Sequence, residues 1–443
     1  MKCKVVSLGE VIRHRKGSIT IDDATNYKLC RVQLHRRGVV LRQHLLGAEI
    51  NTKKQQVCKA GDFLVAEMDA KVGGYGFVPP ELDGAIVSSH YYLFELDDSK
   101  LHPPFLEVIS QSQIIQQQIV PKGSTNYSSI RPDSVLSWKI PLPDLDIQKR
   151  VSRNFEAIQT KLGSVENEIT HQQTLLAKLK QAILQEAIQG KLTADWREAN
   201  PDVETASQLL QRIQAEKARL IAEKKLRPEK PLPKITPAEI PFEIPKCWEW
   251  ARFSSLGVVS PRNEVADDIE VSFVPMAAIS TDLFSRIETE VRRWKEIKSG
   301  YTHIANGDVA LAKITPCFEN GKAAMFKGLI NSVGAGTTEL HVLRPIKVVA
   351  AYLLLFLKSP SFIQAGIPKM TGTAGQKRVP TEYFAHALIP LPPLAEQAAI
   401  VERVESLMTT CRVLEAEIEQ SRTHAANLLQ AVLKEAFAPA SMD

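Results

Sequence analysis

Two stretches of this chain combine side chains that hold phosphate with side chains that read base edges. Pro121 to Arg131 reads PKGSTNYSSIR and Lys369 to Val379 reads KMTGTAGQKRV. Short hydroxyl and amide groups with free backbone N–H groups suit phosphate oxygens, while Arg, Lys, Asn and Gln make directed contacts to bases. The candidate contacts are Lys122, Ser124, Thr125, Asn126, Tyr127 and Arg131 in the first stretch, and Thr371, Thr373, Gln376, Lys377 and Arg378 in the second. Basic clusters elsewhere add Arg13, Arg15 and Lys16, then Arg36 and Arg37, then Arg292, Arg293 and Lys295. The partner class this chemistry suits is a nucleic acid. For any one of these residues a solvated loop is the plainer reading.

Catalytic motifs are scarce by comparison. There is no G-x-x-x-x-G-K-[ST] phosphate loop, no G-x-G-x-x-G after a strand, no H-E-x-x-H and no G-x-S-x-G. Asp62 with Asp69-Ala-Lys71 loosely matches the carboxylates and lysine of a Mg²⁺-dependent nuclease. The aligned Asp308, Thr315 and Cys317 lose the second carboxylate and the lysine. His102-Pro-Pro-Phe105 has His where an amino-methyltransferase needs Asn or Asp, and reads as a turn. Six cysteines without a C-x-x-C pair form neither a zinc ribbon nor a disulfide framework, and suit a reducing cytoplasm. No catalytic residue, metal ligand or cofactor is assigned to this chain. Val348 to Leu357, the longest apolar run, is too short to span a bilayer and the N-terminus lacks a signal-peptide core, so no membrane partner is expected.

What must position the basic residues is a repeat. The chain has 443 residues and a net charge of +5, a length for two to four domains. Residues 1–139 and 245–388 each carry +4, while 389–443 carry −4. Ile140 to Ile188 and Ile389 to Phe437 align without a gap at an offset of 249, with about a third of positions identical. Both open on Ile-Pro-Leu-Pro and share Gln148 and Gln397. Beyond that, apolar residues recur in alternating steps of four and three, the mark of a coiled-coil seam. The pairing residues are Phe155, Ile158, Leu162, Val165, Ile169, Leu176 and Leu179 in one copy, and Val404, Leu407, Leu414, Ile418 and Leu428 in the other. Separate packing of each helix on its own globule is the alternative, but that usually needs a broader stripe of period 3.6. Fainter repeats set Val6-Ser-Leu-Gly9 against Ser254-Ser-Leu-Gly257, and Gly61 to Ala66 against Gly307 to Ala312. The expected fold is α+β: two similar globular domains, 1–139 and 245–388, separated by a pair of long antiparallel coiled-coil helices with a pseudo-two-fold internal repeat. The spacers are 140–244, which includes the Pro-rich linker Arg227 to Pro245, and 389–443.

This layout resembles the specificity subunit of type I restriction-modification systems over essentially the whole chain. The carriers are Ile389 to Gln397 (IPLPPLAEQ) with its degenerate twin Ile140 to Gln148, Gln181 to Thr193 (QAILQEAIQGKLT), and Ile240 to Pro245 running into Trp248-Glu-Trp250. Asp144, Asp146 and Ile147 depart from the motif in the first copy. The resemblance implies two target-recognition domains, each reading one half of a bipartite asymmetric DNA site, with the helices as a ruler for the unread gap. It implies docking of two methyltransferase subunits and of restriction/motor subunits, in a bacterial or archaeal cytoplasm. S-adenosylmethionine, ATP and Mg would belong to those partners, and this chain would be non-catalytic. Two other readings stay open: a stand-alone Mg-dependent endonuclease and a coiled-coil protein-interaction scaffold.

Overall fold

The computed structural model describes residues 4–119, 129–228, 231–373 and 375–436. Two compact units emerge, residues 1–171 with 418–443, and residues 172–417. The first begins with β1 (Lys4–Ser7), β2 (Ile12–Arg15), β3 (Ser18–Thr20), β4 (Asn26–Val32), β5 (Val39–Leu46), β6 (Lys54–Val57), β7 (Phe63–Ala66), β8 (Tyr75–Phe77), β9 (Ile86–Val87) and β10 (Tyr91–Leu96). Helices α1 (Pro103–Gln111), α2 (Gln113–Gln116) and α3 (Pro132–Leu136) follow, then β11 (Lys139–Leu142) and the long α4 (Leu145–Ile188). The strands form a sheet β2-β10-β7-β8, a second sheet β3-β6-β9-β4-β5 and the pair β1-β11. Alternation along the strands builds two cores from one sheet. Phe63, Val65 and Phe94 join Tyr75, Phe105, Leu106 and Trp138 on the helical side. Leu64 and Leu93 turn the other way, toward Cys30, Val32, Val39 and Val87 of the second sheet.

The second unit receives the end of α4, then α5 (Ala194–Ala199), α6 (Ala206–Ala222), β12 (Glu249–Arg252), β13 (Gly257–Val259), β14 (Glu270–Val274) and β15 (Glu290–Arg293). It continues with α7 (Trp294–Ile297), β16 (Thr302–Ala305), β17 (Val309–Ala312), β18 (Ala323–Met325), β19 (Val333–Gly336) and β20 (Leu340–Pro345). Helices α8 (Ala350–Leu357), α9 (Pro360–Gly366) and α10 (Thr381–His386), strand β21 (Leu388–Leu391) and the long α11 (Leu394–Ala436) complete the described chain. The sheets are β13-β20-β17-β18 and β15-β14-β19-β16, with β12-β21 as a pair. Strand for strand this is the first unit again: β14 and β19 run parallel as β4 and β9 do, and the first unit adds β3 at an edge. The Gly61 to Ala66 repeat holds in space, since Gly61 and Gly307 both take positive φ just before β7 and β17. The Val6 to Gly9 alignment is corrected by three residues. Ser7 lies opposite Lys139 and Arg252 opposite Leu388, so Arg252 is the counterpart of Ser7. α8 is apolar because it is buried from Ala351 to Leu357. Among the described residues no single helix is long and apolar enough to cross a membrane.

The long helices are α4, 44 residues, and α11, 43 residues, each about 65 Å at 1.5 Å per residue. Both start on the same buried amide. Gln148 Oε1 accepts the His102 N–H at 2.8 Å and its Nε2 donates to the carbonyls of Lys100 and Pro143. Gln397 Oε1 accepts the Val349 N–H at 2.9 Å and its Nε2 donates to the Pro392 carbonyl. Each glutamine thus ties the N-cap of α1 or α8 to the first turn of a long helix. The two helices run antiparallel. In the first unit Val151 and Phe155 of α4 pack with Val432 and Leu433 of α11 and with Val108. In the second, Lys180 Nζ donates to Glu415 Oε1 at 2.5 Å.

The seam is narrower than the heptads suggest. Phe155, Ile169, Leu176 and Val404 are buried, and Ile158, Leu162, Leu407 and Ile418 half-buried. Val165, Leu179, Leu414 and Leu428 lie exposed instead. A heptad pattern marks both positions of a seam, but a helix covered on one side only buries one of them in full along the middle of its length.

The motif residues of the second unit meet at one carboxylate. Glu396, in the first turn of α11, is fully buried. It accepts Thr193 Oγ1–H at 2.7 Å, Arg197 Nη1–H at 2.5 Å and Trp248 Nε1–H at 2.7 Å. Gly190 turns the chain into this node at φ +73°, where a Cβ would lie 2.7 Å from Pro245 Cγ. The Pro-rich linker is strapped down as well: Arg252 donates to the carbonyls of Pro233 and Lys234 at 3.3 Å and to Glu239 Oε1 at 2.8 Å.

Candidate functional site

In the first unit the candidate cations divide by what holds them. Arg15, on β2, donates to the buried Asp62 carboxylate and, at 3.0 Å, to the Val57 carbonyl. Arg36 Nη1 donates to the carbonyls of Gln111 at 3.0 Å and Ser112 at 2.9 Å, a cationic cap on the C-terminus of α1. Both side chains therefore hold the fold together. Arg13 meets Glu95 Oε2 at 2.7 Å on the surface and keeps that carboxyl below its ordinary range. Such an exposed pair is worth little. Lys16, Arg37 and Arg131 are exposed and make no ion pair among the described residues. Lys122, Ser124, Thr125, Asn126 and Tyr127 lie outside the described residues.

In the second unit, Arg292 on β15 stacks over Phe273 with its guanidinium carbon 4.0 Å from the ring centre and pairs with Glu290 at 2.6 Å. Lys295 Nζ is 3.1 Å from Asp268, while Arg293 is exposed beside them. The stretch after Lys369 is a small hairpin: Thr371 and Arg378 exchange backbone hydrogen bonds at 3.0 and 2.8 Å. Gly372 and Gly375 supply its positive φ. Arg378 Nε and Nη2 grip the Glu339 carboxylate at 2.9 and 2.7 Å, anchoring the hairpin beside the start of β20. That geometry leaves Thr371, Thr373, Gln376 and Lys377 exposed on a fixed turn.

Asp62 and its counterpart Asp308 share one structural task. Asp62 accepts the Lys59 N–H at 2.7 Å besides Arg15, and Asp308 accepts the Ala305 N–H and the Arg344 guanidinium, all at 2.8 Å. Burial pushes the Asp308 carboxyl up while Arg344 pulls it down. Among the described residues no three His, Cys, Asp or Glu side chains are placed to hold a metal ion.

Cations that the clusters do not reveal sit on the five-stranded sheet of the first unit: Lys28, Arg31, Arg42 and Lys54, all exposed. They stand apart from one another in the sequence, and only the strand pairing brings them onto one sheet. A long polar break in β5, Arg42-Gln43-His44, is the signal that could have found them.

Over residues 2–180 and 260–421 the chain matches the family described as the Type I restriction modification DNA specificity domain. It is 50% identical over 243 residues to the specificity subunit of the type I restriction enzyme EcoAI of Escherichia coli, covering 54% of this chain and 41% of that subunit. The EcoEI subunit of Escherichia coli is 49% identical over 243 residues, covering 54% and 40%. The matched stretch thus spans about two fifths of the length of these relatives. Among solved structures, one of complex assembly and conformational transition of the type I R-M system superposes with a TM-score of 0.67 at 18% identity, covering 98% of this chain and 97% of that one. The HsdS subunit of Thermoanaerobacter tengcongensis gives 0.55 at 19% identity, covering 98% and 96%. These two are likenesses of fold.

Proposed function

Because this chain belongs to the type I restriction-modification DNA specificity family, we propose that it reads a bipartite, asymmetric double-stranded DNA site, one half per globular unit. The observation that carries this reading is the strand-for-strand repetition of one α+β unit with different side chains exposed on each copy. A scaffold repeated twice with unlike surfaces suits two unlike half-sites. The paired helices α4 and α11 then set the unread gap between the halves. A helix of about 65 Å compares with about 19 base pairs at 3.4 Å each.

Recognition would combine two kinds of contact. Exposed cations such as Lys16, Arg37, Arg131, Arg293 and Lys377 neutralise phosphates, and the hairpin from Thr371 to Arg378 offers Gln376 and hydroxyls toward a groove. The chain itself performs no bond-breaking step in this reading. It docks two methyltransferase subunits and restriction/motor subunits, on which S-adenosylmethionine, ATP and Mg²⁺ act in a bacterial or archaeal cytoplasm.

The test exchanges residues 1–139 for the corresponding segment of a relative and maps methylation by the assembled complex. One half-site is expected to change while the other and the gap stay as they were. A change in both halves refutes the one-unit, one-half assignment.

A further inference from the structure

The five-stranded sheet of the first unit is built as a cationic surface. Its strands hold Lys28, Arg31, Arg42, His44 and Lys54, all exposed, and no Asp or Glu. β5 is an edge strand of that sheet, and Leu41, Arg42, Gln43 and His44 are exposed in succession along it. Its pairing with β4 runs from Leu29 opposite Gln43 to Cys30 opposite Leu41, which leaves Arg42 unmatched as a bulge. Bulges at sheet edges re-aim a side chain out of the pleat. Arg15 and Arg36 are engaged inside the fold, whereas neither Arg42 nor Gln43 makes a side-chain hydrogen bond or ion pair among the described residues.

The second unit carries its own edge strand at the same place. β15 flanks β14 as β5 flanks β4, but it bears Glu290, Val291, Arg292 and Arg293, with Arg292 held against Phe273 and Glu290. The equivalent edges thus present different chemistry on the same scaffold.

We infer that β5 is a base-reading edge of the first unit, with Arg42 and Gln43 reading adjacent base pairs of one half-site in the major groove. The inference deepens the DNA-reading function proposed above and rests on it. A two-stranded ribbon such as β4–β5 fits the major groove, where Arg forks onto guanine and Gln onto adenine. Arg31, on the neighbouring β4 opposite Val40 of β5, adds charge for the phosphates, and none of the five strands carries an Asp or Glu.

The experiment selects randomised DNA duplexes on the full-length chain at fixed salt and sequences the retained pool, for wild type, Arg42→Lys and Gln43→Ala. Arg42→Lys keeps the charge but loses the planar fork, so overall affinity and its salt dependence stay nearly level. Each variant is expected to lose ~10-fold or more of the base preference at one or two positions of one half-site. The other half-site is unchanged, and melting temperatures match wild type because both residues are exposed. Full retention of preference in both variants, or equal loss in both half-sites, overturns the inference. A wild-type chain that enriches no bipartite sequence refutes the DNA-reading function itself, and the inference with it.

Discussion

Glu396→Ala removes the one acceptor shared by Thr193, Arg197 and Trp248. The carboxylate is fully buried and the Arg197 side chain only 20% exposed, so the guanidinium is left charged and mostly out of water. Breaking a buried pair by deleting one partner costs about 3–5 kcal/mol. The orphaned hydroxyl and indole N–H each add about 1–3 kcal/mol, less whatever entering water recovers. Taking about 4 kcal/mol as the balance, and about 2–4 °C per kcal/mol for a unit of this size, residues 172–417 should melt about 8–16 °C lower. Glu396→Gln preserves shape and one carbonyl acceptor but not the charge, and should fall between the two. Calorimetry of the full-length chain follows the transition. A shift below about 3 °C in Glu396→Ala would refute the view that this carboxylate ties the end of α4, the α5 segment and β12 to α11.

Two further outcomes follow from the same packing. Leu176→Ala should cost about 2–4 kcal/mol as a buried seam residue, while Leu179→Ala, at an exposed position, should stay within about 0.5 kcal/mol. Equal losses in urea denaturation would contradict the narrow seam. Lys358, whose Nζ donates to the carbonyls of Ser280, Thr281 and Gly321, has its ammonium pulled down by burial to about 7 from an ordinary 10.5. Between those values the unfolded chain holds more protons than the folded one, so stability rises with pH. Lys358→Met should flatten that rise, and parallel slopes for both proteins at pH 7.5, 8.5 and 9.5 would rule the assignment out.

The parts of the fold legible in the sequence are those written in local periodicity. The heptads from Phe155 and from Val404 mark α4 and α11, and the Ile-Pro-Leu-Pro repeats mark where each begins; that these repeats form strands β11 and β21 is set by their pairing with β1 and β12. The shared Gln148 and Gln397 were visible as identities, but their reason is tertiary, since His102 and Val349 are far away in the chain. Periodicity states which residues share a face, not how many neighbours cover it, which is why Val165, Leu179, Leu414 and Leu428 read as seam and lie exposed. Basic clusters misjudge their members for a related reason: whether Arg15 is free depends on Asp62, 47 residues on. The three-residue slip near Ser254 arose where similarity was short and strand pairing alone sets the register. Arg42 carries a mark in the polar run Arg42-Gln43-His44, but its place as a bulge on a sheet edge is set by strand pairing alone.

The first unit closes on residues that lie on either side of the second unit in sequence, with Leu433 and Val432 of α11 set against Phe155, Val151 and Val108. Synthesis proceeds from the N-terminus, and domains generally fold as units as they leave the ribosome. Here the first unit is completed only after the second, because its residues 418–443 are made after all of residues 172–417. Until α11 emerges, Phe155 and Val108 have no cover from it. A premature stop inside α11 would therefore leave the later-made unit with most of its contacts and strip the earlier-made one of its closing layer.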